Sequence, residues 1–180
     1  NLTKIVSSYN HLIYLVLYTP MKQKTAFNVI IGAIPGALPP VGGWAAVTGN
    51  IIDPGMWILF AIVFFWQIPH VMAIAWLWKD DYSEAGFKML PKDDHNGQKT
   101  SIYALFCILI LFAVNYSLYA LGLAHTSFLI SSIPIGLFFL FFGLRFNKTR
   151  SYKAARALMF ASIAYLPLIW LSLSIDILIN

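Results

Sequence analysis

Long uncharged stretches alternate with short charged segments along the whole chain. No Asp, Glu, Lys or Arg occurs between Lys24 and Asp53, between Asp53 and Lys79, between Lys99 and Arg145, or between Arg156 and Asp176. A helix needs about 20 predominantly apolar residues to cross the hydrocarbon of a bilayer. The first, second and fourth runs therefore hold one span each. The third is twice as long and holds two, divided by the polar break from Gly122 to Ser127. The pattern predicts spans over residues 27–48, 55–78, 102–122, 127–144 and 154–175. A further helix over 5–18 precedes them, made a poorer lipid-facing segment by Asn10 and His11. The fold class that follows is all-α, a polytopic transmembrane helix bundle forming a single domain over residues 1–180.

Composition changes the picture only by naming the solvent. With 59% hydrophobic and 11% charged residues, the chain has too little charge to clothe a core in water, and a lipid bilayer is its surroundings. The formal charge of +5 does not imply nucleic acid, because the basic residues are scattered between apolar runs and form no single water-facing patch. Cys107, the one cysteine, can form no disulfide within the chain.

The basic residues set the orientation. Lys22 and Lys24 fall in the first loop, Lys79, Lys88, Lys92 and Lys99 in the third, and Arg145, Lys148, Arg150, Lys153 and Arg156 in the fifth. Of the twelve, Lys4 alone lies elsewhere. Lys and Arg near span ends are retained on the cytoplasmic side. The three loops are thus expected to share the cytoplasmic or matrix face, with the turns at 50–54 and 122–127 opposite. The chain opens on Asn1, has no signal peptide and starts with a helix under way. It reads as the C-terminal, N-terminally incomplete part of a longer protein.

Candidate chemistry collects on the basic face. The loop over residues 79–101 carries five of the seven acidic residues, from Asp80 to Asp94. Asp80, Asp81 and Glu84 share one side if the preceding helix runs on, and crowded carboxylates suit a divalent cation held by oxygen. The other reading is a solvated loop balanced by Lys79, Lys88 and Lys92, and spacing alone favours it. The first loop, YTPMKQKT, brings Tyr18, Lys22 and Lys24 to the same surface. Carboxylates holding a metal opposite lysines would clamp a phosphate or diphosphate. Topology by itself also accounts for the lysines.

Within the spans, His70 and Gln67 lie one turn apart in FFWQIPHVMAIAW, with Pro69 between them. A polar pair inside a span faces the bundle interior, either lining a site or hydrogen-bonding a neighbouring helix. The span before it carries Gly32, Pro35, Gly36, Pro39, Pro40, Gly42 and Gly43. Its glycines suit close helix packing, and its prolines should break the helix where protein or a cavity surrounds it. Trp66 is assigned to that cavity. Trp57, Trp76 and Trp78 are expected to be interfacial anchors.

The strings YTPMKQKTAFNVIIGAIPGALPPVGGWAAVTG and LFAIVFFWQIPHVMAIAWLWKDDYSEAGFKMLP resemble the heme branch of the UbiA-type intramembrane prenyltransferases, the protoheme IX farnesyltransferases or heme O synthases. The resemblance covers about Tyr18 to Pro91, and after Thr100 rests on hydropathy. It implies a nine-helix prenyltransferase bundle of which this chain is the C-terminal portion. Two acid-rich motifs would bind Mg²⁺ and the diphosphate of farnesyl diphosphate. The second would be at Asp80 and Asp81, with Glu84 a further metal ligand candidate, and the first would lie upstream of Asn1. Tyr18 and Lys22 match a Tyr-to-Lys diphosphate-binding element, to which Lys24 is added, and Asp80, Asp81 and Lys22 would carry the catalysis. Trp66, Gln67 and His70 would bind heme or line the cavity. Gln23, where a basic residue is usual, and Val71, where Phe is usual, depart from the pattern.

The implied reaction transfers the farnesyl group to the vinyl side chain of heme B (protoheme IX), with addition of water, to make heme O. The chain alone, lacking the first motif, is expected to be inactive. Heme A synthase or cytochrome oxidase assembly factors would be candidate protein partners, and the setting would be a bacterial cell membrane or the mitochondrial inner membrane. A quinone-pathway aromatic prenyltransferase would share the clamp. A membrane transporter would place ion-coupling residues near the midplane, where this chain has no Asp, Glu, Lys or Arg.

Overall fold

The computed structural model describes residues 2–91 and 94–180, so the loop lysine Lys92 lies outside the described residues. Regular structure among the described residues is helical throughout. The first helix runs as α1 (Leu2–Leu12), a π-helical stretch over Ile13–Tyr18, and α2 (Thr19–Met21). Pro20 has no N–H to give, so the ladder loosens ahead of it. The Thr19 N–H and hydroxyl both reach back to Tyr14 O.

The span predicted over 27–48 is divided into α3 (Asn28–Gly36) and α4 (Leu38–Thr48). The break falls at Ala37 because Pro39 and Pro40 cannot donate to the carbonyls four residues back. Next come α5 (Pro54–Leu77) and the short α6 (Lys79–Glu84), then α7 (Gln98–Ala120), α8 (Thr126–Thr149) and α9 (Tyr152–Ile179). Among the described residues five segments are long and apolar enough to cross a membrane: 28–48, 54–77, 98–120, 126–149 and 152–179. The N-terminal helix, which packs on α4, is not among them.

Caps fix where the helices start. The Asp53 carboxylate accepts from Gly55 N at 2.7 Å ahead of α5, with Pro54 in the first turn, and Ser151 Oγ accepts from Ala154 N at 3.2 Å ahead of α9. The cap of α8 comes from another helix. Asp176 accepts from His125 N at 2.8 Å, Phe128 N at 2.9 Å and the Ser127 hydroxyl. Sequence pattern ends the last span at residue 175, and α9 instead carries Asp176 inside it, buried at 1% exposure. The carboxylate can remain there because it turns inward onto the positive end of α8.

α5, α7, α8 and α9 pack as a four-helix group, α5 and α8 each touching both α7 and α9, with α3 and α4 against α5. Phe128, Phe139, Phe146 and Tyr165 fill its centre. The segments joining the helices fall at two ends. At one, Trp76 Nε1 donates to Arg150 O at 3.0 Å and Ser101 Oγ to Asn147 Oδ1 at 3.0 Å. At the other, Asp176 ties the end of α9 to the start of α8.

Candidate active site

The loop between α2 and α3 and the segment after α6 are held together by hydrogen bonds. Lys88 N donates to Lys22 O at 2.8 Å, and the Asn28 carboxamide donates to Lys88 O at 2.9 Å and to Thr25 O at 2.6 Å. Asn28 is fully buried, so one side chain, shielded from water, latches both loops. The Lys22 ammonium sits 4.8 Å from the centre of the Phe87 ring, a cation–π contact. Tyr18 packs its ring on Gly32, where an added Cβ would lie 2.7 Å from the phenol ring. The same backbone approach that a glycine gives a helix here seats a side chain.

These loops border a cavity of about 1290 Å³ that runs down between α5 and α7. At its mouth stand Lys24, Lys79, Asp80, Lys88, His95 and Lys99. Its depth is walled by Phe64, Phe65, Ile68, Met72, Cys107 and Ile110. Charge is therefore confined to one end of an apolar cleft.

Of the expected clamp, Lys24 and Asp80 line this cavity while Tyr18 and Lys22 do not, and the carboxylates divide. Asp80 lines the cavity; Asp81 and Glu84 stand exposed on α6 and do not. Asp94 is committed elsewhere, accepting from Lys99 N at 2.9 Å, Thr100 N at 2.8 Å and the Thr100 hydroxyl at 2.5 Å to cap α7. Among the described residues no three His, Cys, Asp or Glu side chains converge as a metal site.

Trp66, Gln67 and His70 are not brought to this cavity. Trp66 Nε1 donates to Ser162 O at 2.7 Å, His70 Nδ1 lies 2.8 Å from Ser162 Oγ, and the two rings stack at 5.3 Å. Gln67 Nε2 donates to Ala33 O at 2.6 Å, with its carboxamide in the space left by Gly36. The three side chains join α5 to α9 and α3. Trp66 also lines a second, apolar groove of about 550 Å³ beside Pro39, Pro40 and Trp170.

Trp76 departs from its expected place as an interfacial anchor. It is 9% exposed, against 50% for Trp57 and 43% for Trp78. Besides its bond to Arg150 O, it packs edge-on to Phe146 and under Gly97, where a Cβ would come within 2.7 Å of the indole. Gly97 has φ of +73°, so both its conformation and its neighbour exclude a side chain. Asn28 and Trp76 are the residues that sequence reasoning missed. A lone Asn just past the charged loop, at the head of an apolar run, was the only signal for the first.

The model of the UbiA prenyltransferase family matches residues 2–164. The chain belongs to that family. It is 41% identical over 157 residues to a protoheme IX farnesyltransferase of Solibacter usitatus, covering 87% of this chain and 53% of that protein. Against the protein of the same name from Cytophaga hutchinsonii it is 38% identical over 173 residues, 96% of this chain and 60% of the relative. The mitochondrial protoheme IX farnesyltransferase of Arabidopsis thaliana is 36% identical over 162 residues, 90% of this chain and 37% of that protein. The chain thus spans little more than half the length of its curated bacterial relatives. No solved structure matches it. As a UbiA-family chain it is a multi-pass membrane protein, and the matched residues include both loops of the site and the whole cavity lining.

Proposed function

We propose that this chain is the C-terminal part of a protoheme IX farnesyltransferase, which joins the farnesyl group of farnesyl diphosphate to the vinyl side chain of heme B, with addition of water, and makes heme O. The observation that carries the reading is the latch of Lys22 and Asn28 on Lys88, which puts both charged loops at the mouth of one apolar cleft. The names of the relatives favour heme over an aromatic acid as acceptor.

Bond breaking at C1 of the prenyl chain leaves charge on the diphosphate, which Lys24 and Lys88 of the cavity lining would take up together with Lys22 and Tyr18. The C–O bond breaks with its electron pair passing to the diphosphate. The allylic cation left behind would lie against Phe65 and Ile68, side chains that offer no competing nucleophile and exclude water. The vinyl carbon of heme attacks, forming the new C–C bond. Water then adds its hydroxyl to the resulting cation and releases a proton. Positioning supplies most of the catalysis, because the protein forms no covalent bond.

A single carboxylate at the cavity mouth, that of Asp80, is compatible with Mg²⁺, which takes one or two protein carboxylates and completes its shell with water and substrate phosphate. Asp80, on the cavity wall, would be its protein ligand, and bound there it would neutralise charge on the diphosphate.

The test is acceptor choice. Membranes containing the full-length protein, given farnesyl diphosphate with heme B or an aromatic acid, should yield hydroxyethylfarnesyl heme by mass spectrometry and no prenylated acid. Prenylation of the aromatic acid alone would overturn the heme reading.

A further inference from the structure

Two charged loops can act on one anion only if the spacing between them is held. Asn28, the first residue of α3, is fully buried. Its Nδ2 hydrogens go to two main-chain carbonyls, Thr25 O in the first loop at 2.6 Å and Lys88 O in the segment after α6 at 2.9 Å. Its Oδ1 has no hydrogen-bond partner among the described residues. A side chain that caps a helix start accepts from backbone N–H groups, whereas Asn28 donates to carbonyls, so capping of α3 does not account for it. A buried carboxamide with its own oxygen unpaired is also a weak stabiliser. What the two bonds achieve is a fixed distance between the loops. Lys88 is pinned from both sides: its N–H donates to Lys22 O at 2.8 Å, and its carbonyl accepts from Asn28. Before it, Gly86 N donates to Ser83 O at 3.0 Å and Phe87 N to Tyr82 O at 2.8 Å, which ends α6 on a left-handed Gly86 and turns the chain back. After it, Met89 is buried in one cluster with Val29 and Ala75. With its backbone and both neighbours tied, the exposed Lys88 side chain is left at the cavity mouth beside Lys24 and Thr25. Asn28 itself does not line the cavity.

We infer that Asn28 is a positioning residue for prenyl diphosphate binding: it touches no substrate and sets affinity for the diphosphate through the Lys88 ammonium. This rests on the diphosphate role given to Lys88 above and adds the residue on which that role depends. The physical reason is the steepness of charge–charge attraction with distance. An ammonium on a free segment is an average over many positions, and one on a segment fixed at N–H, carbonyl and neighbouring side chain is held where the anion arrives. The contacts that fix it all lie within this chain. A carboxamide that served the fold alone would weaken diphosphate binding by the same factor whatever side chain stands at position 88. One that acts through Lys88 has nothing left to position once the ammonium is gone.

The experiment uses the full-length protein in nanodiscs, titrated with farnesyl diphosphate in the absence of heme. Lys88→Gln and Asn28→Ala should each weaken binding by at least about tenfold, the scale of a lost charge-assisted contact. In the Lys88→Gln background, Asn28→Ala should add less than about twofold, because two residues acting through one group are coupled. Asn28→Ser keeps one of the two donors and should fall between Asn28→Ala and the unaltered protein, and it carries the same cycle where the alanine variant does not fold. In the unaltered protein the Lys88 amide should be protected from hydrogen exchange, and fast exchange there overturns the inference without any variant. Losses that multiply in full, or normal affinity in Asn28→Ala beside a weakened Lys88→Gln, overturn it and leave the diphosphate reading standing. Normal affinity in Lys88→Gln removes Lys88 from the diphosphate and the inference with it. The expected coupling in a protein that prenylates only an aromatic acid would overturn the heme reading and leave the role of Asn28 in place.

Discussion

Asp176 sits where an unpaired carboxylate would be costliest, inside the last membrane-crossing helix. It is retained because the first turn of α8 offers backbone N–H groups with no partner of their own, together with the Ser127 hydroxyl. Asp176→Asn keeps the shape and loses the charge and part of the accepting capacity. It is expected to lower stability by about 1–3 kcal/mol, seen as a lower melting temperature of the full-length protein in detergent, while substrate binding at the opposite end stays intact. An unchanged melting temperature would mean that the cap is not holding α8 to α9. Nothing in the sequence marked this role. Asp176 read as the end of a span, because a charge-free run says where charge is absent and not which helix end a bordering carboxylate reaches. Lys22, Lys24, Asp80 and Asp81, by contrast, were legible as surface charge gathered on alternate loops.

At the scale of elements, glycines and prolines were legible as breaks, and their partners were not. Pro39 and Pro40 mark a helix break from sequence alone, and the structure puts it at Ala37. That Gly36 leaves room for the Gln67 carboxamide depends on how α3 and α5 pack, which hydropathy cannot encode. Gly36→Val should therefore cost about 1–3 kcal/mol by overpacking. Gln67→Ala introduced alongside it should recover part of that loss, since the two sites share one space. A thermal melt of the two single variants and the double variant reads the coupling, and strictly additive losses would contradict the contact. The same limit explains Trp66 and His70. A polar residue in a span signals an interior position, and the alternative of pairing with a neighbouring helix, here Ser162 of α9, is decided by tertiary packing.

For the molecule as a whole, the alternation of basic loops anticipated a bundle with two chemically distinct ends. The structure gathers the segments around Lys22, Lys88 and Arg150 at one of them. Cysteines introduced as Lys24→Cys and Lys148→Cys in the full-length protein should react with an impermeant maleimide from one side of the membrane, and Asn50→Cys from the other. Labelling of positions 24 and 148 from opposite sides would undo the bundle's orientation and with it the shared mouth.

The central claim is that the first loop and the α6 segment act on one diphosphate, and a double-mutant cycle on kcat/KM for farnesyl diphosphate tests it most directly. In the full-length enzyme, Lys22→Gln and Asp80→Asn should each lower kcat/KM by about 10²-fold, the scale of one lost transition-state electrostatic contact. The double variant should lose clearly less than the product of the two, because groups acting on the same charge are coupled. Losses that multiply in full, or an Asp80→Asn enzyme with normal turnover, would contradict a shared site.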